Sequence, residues 1–206
     1  MYKSTYTSIN IHDMLCEEVD ISTAISAPRC ARWISSLEQL LYADVIKDYR
    51  TATVNLLGGD TFDLDEISPD NNSRAVAFDD IAKVYDEDEE LVKCSPIAAH
   101  QFKGEKAIYW CEGDSCYAKL LRSGVEKLTV IYKAMPALKV NEDGEATDAL
   151  VCIPDEWIEL VLSKVRGEAY KLAGDDAQAA KWLNDYNAQL ESFKVWIAER
   201  QKWFGE

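Results

Sequence analysis

The sequence predicts an α+β protein, a helical bundle built from the two ends of the chain with an antiparallel β-rich middle inserted between them. Three observations carry this reading. Apolar residues recur with a period near 3.6 over residues 27–49 and again from 154 to 203. Between these stretches the period falls to two, most clearly in Glu126-Lys127-Leu128-Thr129-Val130-Ile131-Tyr132-Lys133. Strands and helices also do not alternate in the βαβ manner that would build a parallel sheet. The expected division is residues 1–50 and 150–206 as helical core and 51–149 as β-rich insertion.

The elements follow in order. Asn10 and Asp13 resemble a capping box before Ile11, Met14, Leu15 and Val19, a short first helix. Ala27-Pro28 opens a longer one, because the N–H that proline lacks has no partner in a first turn. Cys30, Ile34, Leu37, Leu41 and Val45 hold one face of it, with Trp33 and Leu40 alongside, to about Tyr49. Thr51 to Leu57 is β-branched and stops at Gly58-Gly59, a strand signal. Thr61 to Ile67 alternates polar and apolar, and Ser68 to Ser73 consists of turn residues. Asp79 to Tyr85 reads as a strand running into the acidic Asp86 to Glu90. Ser95 to Phe102 fits a short helix or turn. Ala107 to Cys111 and Cys116 to Leu120 flank Glu-Gly-Asp-Ser, a hairpin signal. Val140 to Ala149 is polar and reads as a mobile loop.

The C-terminal third is the most informative part. Pro154 suits a first helical position, and Asp155 and Glu156 place negative charge where the helix dipole favours it. Gly174 ends that helix and Asp175-Asp176 caps the next. There Ala179, Leu183, Tyr186, Leu190, Phe193 and Ile197 recur at spacings of four and three, widened by Trp182, Trp196 and Trp203. Such a face is wider than one short helix covers, so an oligomer interface is expected at Trp182, Tyr186, Trp196 and Trp203.

The net charge of -15 on 206 residues argues against a surface that grips phosphates, which needs clustered Lys and Arg. No apolar run reaches the length of about 18 residues that a membrane span needs, and the N-terminus lacks an apolar signal region. The expectation is a protein made in cytosol, with Cys16, Cys30, Cys94, Cys111, Cys116 and Cys152 all reduced. Cys111-x4-Cys116 has no second cysteine pair or nearby histidine to complete a zinc set, and a cross-strand pair beside a hairpin explains it. Asp79-Asp80 and Asp86 to Glu90 fit no calcium-loop register and read as a solvated turn. Neither His12 nor His100 sits in the flanks of a nucleophile elbow, and the glycines form no phosphate loop. No catalytic residue, cofactor or metal ligand is expected, and the chain is read as non-enzymatic.

The order of segments resembles head–tail connector (adaptor or head-completion) proteins of tailed bacteriophages. The resemblance rests on Pro-Arg-x-x-Arg-Trp-Ile-x-x-x-Glu-x-x-Leu-Tyr (28–42), Val-Ala-Phe-Asp-Asp-Ile-Ala-Lys-Val-Tyr-Asp (76–86), Glu-Lys-Leu-Thr-Val-Ile-Tyr-Lys (126–133) and Ile-Pro-Asp-Glu-Trp (153–157). It implies a virion structural protein at the neck, assembled in the host cytoplasm. It further implies a homo-oligomeric ring of twelve copies, with the portal protein above and tail or neck proteins below, and DNA passing through without sequence-specific binding. An acidic lining would suit that passage. Two other readings stay open: a small soluble regulatory protein that binds a partner through the aromatic face, and a hydrolase using Asp79 and Asp80.

Overall fold

The computed structural model describes residues 2–18, 25–67, 73–87, 89–104, 106–113 and 115–203, the side chains of residues 202 and 203 excepted. Val19 of the first expected helix and the loop read over residues 68–72 lie outside the described residues. The chain forms two units, one from Met1–Ile46 with Pro136–Glu206 and one from Lys47–Met135.

In the first unit, helix α1 spans Ser8–Glu18. Its cap lies three residues before the expected one. The Thr7 N–H donates to Asn10 Oδ1 at 3.0 Å and the Asn10 N–H to Thr7 Oγ1 at 3.2 Å, a reciprocal box. Helix α2, Ala27–Leu41, begins where Ser26 is extended and Pro28 occupies the first turn. It continues as a π-helical turn, Tyr42–Ile46. The helix expected to reach Tyr49 stops there, because Lys47 adopts φ 50 and Tyr49 already belongs to a strand.

Pro154 precedes a 3-10 turn at Asp155–Trp157, and helix α4 follows over Ile158–Leu172. Gly174, at φ 80, supplies the left-handed residue that ends it. Asp175 Oδ1 then accepts the Gln178 N–H at 3.0 Å and starts helix α5, Asp176–Trp203. Ala179, Tyr186, Phe193 and Ile197 form the buried stripe of α5, and α4 buries Leu160, Val161, Leu162, Val165 and Ala169. Each such large aliphatic or aromatic side chain contributes roughly 1.5–3 kcal/mol. At Gly167 the two helices pack tightly, since a Cβ there would lie 2.7 Å from Leu183 Cδ2.

The stretch expected to be a mobile polar loop, Val140 to Ala149, is instead tied down. Val140 bridges Ala146, Thr147 N donates to Lys139 O at 2.9 Å, and Ser8 N donates to Ala149 O at 3.3 Å. Beside it, fully buried Lys139 places Nζ 3.1 Å from Oε2 of equally buried Glu38. Glu38 Oε1 also accepts the Cys152 N–H at 2.6 Å, and Ser35 Oγ accepts the Lys139 N–H at 2.8 Å. Burial raises the Glu38 carboxyl above the usual carboxylate range, against the lowering pull of Lys139 and of the Cys152 N–H.

The second unit is a seven-stranded sheet in the order β1-β7-β3-β4-β5-β6-β2. Its strands are β1 Tyr49–Asn55, β2 Thr61–Phe62, β3 Ile81–Asp86, β4 Glu89–Lys93, β5 Ile108–Glu112, β6 Ser115–Lys119 and β7 Lys127–Lys133. Helix α3, Pro96–Gln101, links β4 to β5, capped by Ser95 Oγ. Val54, Val84, Leu91, Ile108, Leu128 and Val130 fill the interior. The edge strands β1 and β2 are consecutive in sequence, and the Leu57–Thr61 bridge draws them together, so the sheet curls close to a barrel.

These findings overturn the expected fold class. The protein is a mixed α/β structure whose helices accompany a near-barrel sheet, rather than a helical bundle with an inserted antiparallel middle. The sheet is also mixed, since β4 pairs parallel with β5 through Val92↔Ile108 and Lys93↔Tyr109. The physical reason lies in Glu89–Lys93. Its glutamates disfavour a strand locally, yet pairing with β3 on one side and β5 on the other makes it one.

The expectation of six reduced cysteines is corrected as well. Cys111 and Cys116 form a disulfide. They face each other across the β5–β6 hairpin with Cα atoms 4.2 Å apart, close enough for a bond without backbone movement. Cys16, Cys30, Cys94 and Cys152 are thiols.

Candidate functional site

Helices α2, α4 and α5 enclose a cleft of about 510 Å³ lined by Trp33, Ser36, Leu37, Leu40, Lys164, Glu168 and Tyr186. The same periodicity that builds the α2 core places Leu37 inward and Trp33 and Leu40 at its margin. Leu40 is 52% exposed, an apolar side chain held at the rim. Lys164 and Glu168 form an i,i+4 ion pair at 2.8 Å on the α4 side, and Lys164 Nζ lies 5.4 Å from the Tyr186 ring centroid. Burial raises the Tyr186 hydroxyl above the ordinary tyrosine value. The cleft therefore offers an apolar wall, two aromatic side chains, Trp33 and Tyr186, and a single charge pair.

The expected interface residues do not gather at one place. Tyr186 lines the cleft and is buried. Trp182 is half-buried, with the Arg166 guanidinium 4.6 Å from its ring centroid. Trp196 lies 14 residues further along α5, about 21 Å at 1.5 Å per residue. It joins an aromatic cluster within its own unit, stacked on Phe193 at 5.8 Å, edge-on to Trp157 at 5.9 Å and beside Tyr2. Arg200 covers its other side at 4.0 Å. Much of that ring is thus occupied internally. The side chain of Trp203 lies outside the described residues.

Sequence reasoning named Trp33, Leu37 and Leu40 only as a helix face. Their convergence with Tyr186 depends on packing between helices remote in sequence, for which the sequence holds no signal.

The acidic and thiol candidates are separated. Asp80 uses one oxygen on Arg74, at 2.8 Å, and the other on the Ala77 N–H, at 2.9 Å, while Asp79 is almost fully exposed. Cys16 Sγ lies 3.4 Å from His12 Nε2, yet burial and Asp13 raise this thiol rather than activate it. Cys30 is pushed up to about 12, mainly by burial. Among the described residues no group of three or more His, Cys, Asp or Glu side chains could hold a metal ion. No described helix is long and apolar enough to cross a membrane.

A comparison with curated proteins finds no match. The profile of the family described as SU10 adaptor protein matches residues 12–205, across both units. That correspondence agrees with the connector resemblance read from the segment order, and it makes the protein a structural adaptor of the phage virion. This chain belongs to the SU10 adaptor protein family.

Proposed function

We propose that the protein is a non-enzymatic subunit of the connector ring between portal and tail. In this reading twelve copies surround the DNA channel, assembled in the host cytoplasm, with portal protein on one side and tail or neck proteins on the other. The observation that carries it is the family correspondence over residues 12–205. A closed ring needs two different, complementary faces on each protomer. The α2–α4–α5 cleft, with Leu40 at its rim and Tyr186 within it, is one such face. The net charge of -15 suits a channel that DNA traverses without being held.

The test is location and stoichiometry. The protein is expected at the neck of purified particles in twelve copies, and particles lacking it should fail to join heads to tails or to retain DNA. Particles that join and retain DNA without it, or mature particles that do not contain it, would refute the proposal.

A further inference from the structure

The buried ion pair of the first unit has a third member that an adaptor role does not call for. Lys139 Nζ donates to Cys152 Sγ at 3.6 Å, and both residues are fully buried. Each is fixed from two sides. The Lys139 N–H donates to Ser35 Oγ at 2.8 Å, and Lys139 Nζ lies 3.1 Å from Glu38 Oε2. The Cys152 N–H donates to Glu38 Oε1 at 2.6 Å, and the Cys152 carbonyl accepts the Tyr42 hydroxyl at 3.0 Å. Ser35 and Glu38 stand three residues apart on α2, so one helix face holds the amine and the sulfur together.

A sulfenic acid condenses with a nitrogen in reach to give a sulfenamide. Holding the two groups in contact makes that condensation intramolecular, which favours it strongly over any encounter in solution.

We infer that Lys139 and Cys152 form a modification site, closed by hydrogen peroxide into a covalent sulfur–nitrogen bond. The sulfur first attacks one peroxide oxygen. The O–O bond breaks, water leaves, and the thiol is oxidised by two electrons to the sulfenic acid. Lys139 passes its ammonium proton to Glu38 Oε2, and neutral Nζ then attacks the sulfur. The N–S bond forms, the S–O bond breaks, and the hydroxyl leaves with an amine proton as a second water. Burial, which raises the Glu38 carboxyl, favours the protonated acid left behind. The product replaces two buried charges with none. It also ties residue 139 to residue 152, across the segment that the Val140–Ala146 bridge already folds back. A thiol reductant attacks the sulfur and restores both side chains.

Buried thiols react slowly, and the oxidant reaches them when the structure opens locally. Cys16 and Cys94 are partly exposed and report the oxidant dose. What sets Cys152 apart is the amine, which traps its sulfenic acid before further oxidation.

The inference concerns a single chain and stands apart from the ring reading. The test treats the folded full chain with hydrogen peroxide, blocks the remaining thiols and digests after glutamate without reductant, so that Glu142 and Glu145 separate the two residues. Mass spectrometry should find a peptide pair joining Lys139 to Cys152, lighter than its two parts by two hydrogen atoms and lost on adding dithiothreitol. Chain unfolded in urea before the same treatment should give at least ~10-fold less of it, because the amine and the sulfur are no longer held together. Cys152 recovered as a free thiol in folded chain whose Cys16 and Cys94 are fully oxidised would overturn the inference. So would Cys152 recovered as sulfinic acid with Lys139 unmodified, or an equal yield of the pair from unfolded chain.

Discussion

Replacing Lys139 with methionine should be among the most damaging single changes in the protein. Lys139 and Glu38 are both fully buried, with Nζ and Oε2 3.1 Å apart. At an effective dielectric near 20, two unit charges at that distance attract by about 5 kcal/mol, which offsets the desolvation of both groups. Lys139→Met removes the attraction and leaves Glu38 buried, at an expected cost of about 3–5 kcal/mol. For a chain of this size that lowers the melting temperature by about 6–20 °C. Adding Glu38→Gln keeps an acceptor for the Cys152 N–H and removes the stranded charge, so the double variant should recover at least half of the loss. The assay is urea unfolding of the four members of the cycle at pH 7, repeated toward pH 4. Burial raises the folded Glu38 carboxyl above its unfolded value, so its contribution is fully present below the unfolded pKa and declines as pH rises through the folded one. Without Lys139 the lowering pull is gone and the folded value rises further. The gap between wild type and Lys139→Met should therefore be widest near neutral pH and close toward pH 4. A single-variant cost below ~1 kcal/mol, or a double variant as unstable as the sum of the singles, would refute the reasoning.

Other outcomes follow from the same structure. Reducing the Cys111–Cys116 disulfide, or replacing both cysteines with alanine, should destabilise the hairpin by about 2 kcal/mol, the loop-closure value for so short a ring, read as a shift in the unfolding midpoint with and without reductant. Gly167→Val should cost about 1–3 kcal/mol in thermal unfolding despite removing a helix glycine, because its side chain meets Leu183. Asp155 is held below the usual carboxylate range by Ser4 Oγ, the Thr5 N–H and the Thr5 hydroxyl. Asp155→Asn should therefore speed amide exchange at Thr5 above the unfolded carboxyl pKa, with the difference from wild type vanishing as pH falls through the folded one. Leu40→Glu should leave the melting temperature nearly unchanged and reduce incorporation into particles, measured by mass spectrometry of purified virions.

Local signals were legible wherever neighbouring residues decide the structure. The proline opening α2, the Gly174–Asp175 break between α4 and α5 and the alternation of β7 each depend on a few adjacent side chains, and each is where it was read. Strand β4 was not legible, because two glutamates become a strand only through partners distant in the chain. The order of Lys139 to Ala149 was hidden for the same reason. Glu38 and Lys139 are 101 residues apart, and neither carries a mark of burial in sequence. At the cleft, Tyr186 emerged from the α5 stripe, but its convergence with Trp33 and Leu40 is a product of helix packing. The hairpin placed Cys111 opposite Cys116, yet cellular compartment argued for thiols where the geometry makes a disulfide.

The π-helical turn at Tyr42–Ile46 has a consequence for how this chain tolerates insertions and deletions. A π-turn is an α-helix with one residue too many, and the extra residue turns everything after it by about 100°. Here it sets both Tyr42 and Ile46 inward and leaves the Ile46 carbonyl to accept the Gln201 side-chain amide at 2.6 Å. Deleting exposed Asp44, which would pass unnoticed in a surface loop, should heal the turn into regular helix and swing Ile46 out of the interior. Length, more than residue identity, is what selection should hold fixed across this short stretch.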